Sequence, residues 1–292
     1  MRGNTAKFLL RNVLLLACCW GNPLDASGQR LNEAEDRYKR TDYEGSLALL
    51  NKQTEEASVN FLSGRDYFML GDYKRATDCI QKAVASQPAN GEYVDWLGKI
   101  YGRRAEISNP LLAPSLAVKA REAFERSVEL DPKNSEALDD LFDYYLEAPG
   151  FLGGGYDKAS EIARRISAID PPEGHAAKAK LAQKRKEFSN AEMHLHQAIV
   201  ADPHSVGQRI ALARFLANQG RTRESDEVLL TAEKEQPEAP GVWFARADIL
   251  IAQKRDLDEA KALLQKYVHA SLTVDDPPKE QALRLLKQVG GA

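Results

Sequence analysis

Three consecutive glycines, Gly153 to Gly155, stand in the stretch GFLGGGYDKA, just ahead of a run with helical periodicity. A glycine-rich turn that opens a helix is how backbone N–H groups cradle a phosphate. Such a loop also needs the order GK[ST], with the lysine for the phosphates and the hydroxyl for magnesium. Here Gly155 is followed by Tyr156-Asp157-Lys158, and no parallel-strand pattern precedes the glycines. The reading they favour is a wide turn in which glycine supplies positive φ. No nucleotide or other cofactor is expected.

The remaining chemistry-bearing residues are sparse. Five histidines show no metal-ligand spacing, and His194 and His196, two apart, point to different sides of a helix. HExxH, paired CxxC and GxSxG are all missing from the sequence. Asp139 and Asp143 share one helix face at i and i+4, which is also the ordinary pattern of a charged surface. Of three cysteines, Cys18 and Cys19 fall in the N-terminal segment, and Cys79 is left on an apolar-periodic helix. That position reads as a buried small hydrophobe. No catalytic residue and no metal site is expected.

The elements that must carry these residues are helical. Apolar residues make up 43% of the 292 and charged residues 28%, a globular balance. Alanine and leucine dominate, and runs of Val, Ile and Thr are scarce. Residues 1–28 differ from the rest. MRGNTAKFLLRN carries three bases, VLLLACCW is apolar, and Ala26-Ser27-Gly28 is small. This is the layout of a secretory signal peptide, and the apolar run is too short to span a bilayer. An organelle presequence is the alternative, and Leu15-Leu16-Ala17-Cys18 allows a lipoprotein variant anchored through Cys18. Removing residues 1–28, with three bases and one acid, takes the formal charge from −3 to −5. A mildly acidic chain is a poor polyanion binder, so nucleic acid is not an expected partner.

The sequence repeats. Pro88, Pro132, Pro171, Pro203 and Pro237 close the phrases IQKAVASQP, FERSVELDP, ARRISAIDP, LHQAIVADP and LLTAEKEQP, at intervals of 44, 39, 32 and 34 residues. Each phrase is an amphipathic helix ended by a proline. Ahead of Pro88 stand Gly64, Tyr67, Gly71, Tyr73, Ala76, Ile80 and Ala83. Ahead of Pro132 stand Leu97, Gly98, Tyr101, Ala120 and Phe124. This order resembles the tetratricopeptide repeat, with its W-x2-L-G-x2-Y, A-x3-F and P pattern over 34 residues. The resemblance covers about residues 29–274, in seven units.

The resemblance implies an all-α, right-handed superhelical solenoid of about seven helix pairs over residues 29–292. Small residues such as Gly64, Ala76 and Ala83 let the paired helices approach. A unit cannot bury its apolar face alone, so neighbours stack. After Asp275-Asp276-Pro277-Pro278, a helix over about 277–289 should cover the end of the stack.

The resemblance also implies a concave face lined by the first helix of each unit. Carried over by position, its residues are Phe61, Arg65, Phe68 and Met69, then Asp95, Lys99 and Arg103, then Glu136, Asp139, Asp143 and Glu147. Lys180, Gln183 and Lys184 follow, then Ile210, Arg214 and Asn218. The signs run basic, acidic, basic. Salt bridging between units accounts for this, as does a groove that reads a partner of matching charge. The Lys-and-Asn clamp by which some members hold a terminal carboxylate is not reproduced.

Two units run long between their helices. GRRAEISNPLLAPS, Gly102 to Ser115, adds about ten residues to the 34-residue pattern, and the glycine stretch adds about five. Equivalent turns of stacked neighbours lie side by side, so Leu111 and Leu112 should lie near Phe151 and Leu152 on one edge. The two loops either bury each other or expose an apolar ridge for a partner. The function implied is a non-enzymatic scaffold for a protein or peptide ligand, exported to the bacterial periplasm or cell envelope. One alternative is an assembly factor for a pilus or outer-membrane machine. The other is an envelope-polymer enzyme, which a groove carboxylate pair of perturbed pKa would favour.

Overall fold

The computed structural model describes residues 23–51, 56–273 and 276–290. The basic and apolar parts of the expected signal segment, with Cys18, lie outside the described residues. Among the described residues, fifteen α-helices form seven pairs and a final single helix. The pairs are α1 (Pro23–Lys39) with α2 (Tyr43–Leu50), α3 (Ala57–Met69) with α4 (Tyr73–Ser86), and α5 (Gly91–Ile107) with α6 (Ala113–Leu130). Next come α7 (Ser135–Glu147) with α8 (Tyr156–Ile169) and α9 (Pro171–Lys184) with α10 (Phe188–Ala201). The last pairs are α11 (Val206–Asn218) with α12 (Thr222–Glu235) and α13 (Pro240–Ala252) with α14 (Leu257–Val268). The single helix is α15 (Lys279–Gly290), packed on α14 and α13 through Ala282 and Leu285. The expected all-helical repeat architecture is the one observed.

The prolines work through the residue before them. Gln87, Asp131, Asp170, Asp202 and Gln236 all have φ between −136° and −132° and ψ between 73° and 94°. The proline ring disfavours α geometry at that position, so each second helix stops there. The next helix then needs a cap. Asn90, Asn134 and Ser205, two residues past their prolines, each accept a hydrogen bond from the N–H three residues on. Pro171 departs from this scheme. Asp170 caps α9 and Pro171 is already in its first turn, so this proline opens the fifth pair rather than closing the fourth.

Between paired helices, five turns use a left-handed residue at the same place: Thr41, Gly71, Lys186, Gly220 and Lys254, with φ from 54° to 79°. Close packing follows from small side chains. A Cβ on Gly64 would lie 2.5 Å from Ile80, and one on Gly98 2.6 Å from Phe124. Ala76, Ile80 and Ala83 are wholly buried.

Two expectations need correction. The Gly102–Ser115 insertion is mostly helix, because α5 and α6, at 17 and 18 residues, run longer than the helices of the pairs on either side and leave a turn of only Ser108 to Leu112. Cys79 is only partly buried. It shares α4 with the inward-facing Ala76 and Ile80 but lies off their line.

Candidate functional site

The first helices of successive pairs stand side by side, and their shared face carries the residues expected to line the groove. At its N-terminal end Arg65 is enclosed by aromatic rings. Its guanidinium carbon lies 4.2 Å from the centroid of Tyr38, 5.1 Å from Trp96 and 5.3 Å from Phe61. Stacking of this kind holds the cation on the quadrupole of each ring. Its Nε is buried without a hydrogen-bond partner. Phe68 meets Tyr73 and Trp96 edge-on at 5.4 and 5.6 Å. Phe61 stacks on Tyr93, and Met69 packs into the α1–α2–α3 core, so neither is a free groove side chain.

Further along, the alternating charges meet one another across unit boundaries. Lys99 of α5 bonds Asp95 at 3.2 Å on its own helix, Asp140 of α7 at 3.1 Å, and Glu136 of α7. Burial drives the Lys99 ammonium down, but Asp140, Asp95 and Glu136 together outweigh it and leave it more basic than usual. Asp95 is 3% exposed. Burial, then the Asp140 carboxylate, pushes it up to about 8, and burial likewise raises Asp140. Oxygens of Asp95, Glu136 and Asp140 lie within 4.8 Å of one another, a spacing that suits a cation, and the Lys99 ammonium bonds all three groups.

Lys180 reaches Asp143 at 2.7 Å, Lys184 reaches Glu147 at 2.9 Å, and Arg214 reaches Asp248 at 2.8 Å, each in the neighbouring pair. The first two of these pairs, with Gln183, line a shallow depression between α7 and α9. Arg103 donates to Tyr73 and pairs with Glu106. Asp139 is pushed up to about 7 by burial and by Glu173, with Lys180 pulling the other way. Ile210 and Asn218, on α11, are half-buried and exposed respectively.

The glycine stretch is a turn. Gly150–Leu152 forms one 3-10 turn, and Gly153 follows at φ 91°. A Cβ on Gly154 would collide with the carbonyl of Ala148. Lys158 donates to the Gly153 carbonyl at 2.9 Å and lies over the Tyr145 ring, so it closes its own loop. The turn is anchored on α6 and α7. The Leu152 carbonyl accepts from Tyr144 at 2.9 Å and from Arg121 at 3.4 Å. The apolar tips stay in solvent: Leu111 is 91% exposed, Phe151 81% and Leu112 56%, while Leu152 is half-buried. Ile107 at the end of α5, 58% exposed, lines a separate depression with residues of the first two pairs.

Sequence reasoning missed Tyr38, Trp96 and Asp140. Trp96 and Asp140 sit one residue from positions that were carried over, and a helix face is wider than single positions. Tyr38 lies in the first unit, where the repeat pattern is weakest.

No family model matches the chain. Residues over a 96-residue stretch are 31% identical to cellulose synthase operon protein C of Pseudomonas fluorescens (strain SBW25), covering 33% of this chain and 7% of that protein. The chain thus matches only a small fraction of the relative's length. Among solved structures, a tetratricopeptide repeat protein of Parabacteroides merdae ATCC 43184 superposes with a TM-score of 0.57 at 15% identity, over 91% of this chain and 99% of that one. A thermophilic TPR protein of Thermus thermophilus superposes with a TM-score of 0.56 at 17% identity, over 65% of this chain and 98% of that one. Helix pairing, the glycine contacts and these superpositions agree: the chain has the helical-repeat fold of tetratricopeptide proteins.

Proposed function

We propose that the protein is a non-enzymatic scaffold that holds a protein partner against its insertion edge, exported to a bacterial cell envelope. The observation that carries this is the contrast between two surfaces. The groove charges of the third to seventh pairs are largely satisfied by each other. Leu111, Leu112 and Phe151 are presented to solvent with more than half of each side chain uncovered. Exposed large apolar side chains on two neighbouring insertion turns are the kind of surface that a partner covers. A protein rather than a nucleic acid partner follows from the acidic balance of the chain. Among the described residues no helix is long and apolar enough to cross a membrane; lipidation of Cys18 would anchor the chain. The stretch shared with a protein named for a cellulose synthase operon supports the related reading of an assembly factor for a polysaccharide-handling machine.

Affinity capture from envelope extracts, with chain lacking residues 1–28 as bait, tests the scaffold. Reproducible enrichment of one protein, lost with edge substitutions, is the expected result. Mass spectrometry of the native protein tests export. A start near Ser27 or Gln29 is expected, and an intact Met1 in a cytosolic fraction overturns it.

One observation favours the enzyme reading: Asp95 and Asp140 are a groove carboxylate pair with raised pKa values. Both are bonded to Lys99, whose ammonium occupies their oxygens and favours their ionised form, which weighs against general acid–base work. Hydrolysis of envelope polymers that disappears in Asp140→Asn would restore that reading.

A further inference from the structure

His175 in α9 and His194 in α10 bring their Nδ1 atoms to 3.2 Å, with ring centroids 5.4 Å apart. Gln197, one turn further along α10, places its Oε1 3.0 Å from the same His194 Nδ1. No protonation pattern gives each of the three atoms an unshared hydrogen bond. A neutral imidazole carries one proton on its two nitrogens. If His194 holds it on Nδ1, that proton is divided between two acceptors. If His175 holds it, the bare Nδ1 of His194 faces the amide oxygen. Turning the Gln197 amide over brings a second donor to a nitrogen with one lone pair.

We propose that His175 and His194 form a two-imidazole site for a borderline divalent transition metal ion such as Zn2+, with Gln197 Oε1 as a third donor. Imidazole nitrogen suits this class of ion. Zinc–nitrogen bonds of about 2.0–2.1 Å put cis ligands about 3.3 Å apart in a tetrahedron and about 2.9 Å apart in an octahedron. The observed 3.2 and 3.0 Å fall between those limits. The two rings are held from opposite helices of one pair. Buried Ala179, Ala182, Ala191 and Leu195 pack together between the two helices, so the donors meet without a loop having to order. His196 belongs to a different contact, with its Nε2 3.9 Å from Glu192.

The test is calorimetric titration of the chelator-treated full chain with Zn2+. One equivalent should bind. His175→Ala and His194→Ala should each weaken binding on the order of tenfold or more, since loss of even an outer-shell partner costs that much. His196→Ala should leave it unchanged. Absence of saturable binding, or wild-type affinity in the double His175→Ala/His194→Ala variant, overturns the proposal. Should the alanine variants lose their helical signal, histidine ring resonances of the wild type decide. Zn2+ must shift His175 and His194 together and leave His204 and His269 in place; any other pattern overturns the site.

Discussion

The Lys99 ammonium lies 3.1 Å from Asp140, one helix pair away, while its own helix supplies Asp95 at 3.2 Å. One half-hidden cation therefore ties the third pair to the fourth. Its side chain is 16% exposed, against 50% for Lys180 and 51% for Asp143 in the next boundary pair. Removing one partner of a buried ion pair leaves uncompensated charge and costs about 3–5 kcal/mol. An exposed pair is worth about 0–1 kcal/mol. Lys99→Glu should therefore unfold at clearly lower urea than Lys180→Glu, as followed by helical circular dichroism. Equal midpoints would show that burial does not separate the two boundaries.

Asp66 sets a pH dependence of unusual sign. It is wholly buried in α3, and burial pushes its carboxyl up to about 8 against the opposing pull of the Ser46 hydroxyl and Arg65. A carboxyl raised above its unfolded value near 3.8 binds its proton more tightly in the folded chain. That contribution is fully present below the unfolded value. It fades as the pH rises toward the folded one. Stability should fall between about pH 4 and 8, and Asp66→Asn, which cannot ionise, should flatten that slope. Asp95 and Asp139 act in the same direction, so the slope should shrink rather than vanish. Chemical denaturation at stepped pH reads it, and an unchanged slope in Asp66→Asn would remove Asp66 as its source.

Gly64 should tolerate no side chain. Its missing Cβ would sit 2.5 Å from Ile80, which is wholly buried and has no room to retreat. Gly64→Leu should cost about 1–3 kcal/mol by overpacking. Gly71, at φ 79° with open space around it, fails for a different reason, since the cost there is backbone strain. Melting curves should show loss for Gly64→Leu that Ile80→Ala partly restores, and no such rescue for Gly71→Leu.

How far the sequence foretold this can be judged at particular residues. Period and proline phase located the helix pairs, because amphipathic spacing and the residue before proline act locally. Asp170-Pro171 misled by phase alone, since the same dipeptide can end one helix or open the next. The Gly102–Ser115 stretch was expected as a loop. Arg103 to Glu106 are good helix formers and Pro114 suits a helix's first turn, so much of the extra length went into α5 and α6. Positions carried over to the groove fall on the first helices, but their contact partners depend on the angle between neighbouring pairs, which local pattern does not encode. His175 and His194 illustrate the same limit, being ordinary in sequence and adjacent only once α9 folds on α10.

The edge is where a partner should be lost. Trimming Gly102–Ser115 would cut into α5 and α6, so point changes at the tips are the cleaner test. Leu111→Ser with Phe151→Ser removes two large side chains that are 91% and 81% exposed. The turn itself is held by the Leu152 carbonyl through Tyr144 and Arg121, and neither substitution touches it. Helical content and melting temperature should therefore stay at wild-type values. Burying a large apolar side chain at an interface contributes about 1.5–3 kcal/mol, so losing two should weaken capture by at least about tenfold. Lys180→Glu, which breaks only an exposed groove pair, should capture normally. If the tip variant binds as well as wild type while Lys180→Glu does not, the face of α5, α7 and α9 is the working surface and the exposed tips are incidental.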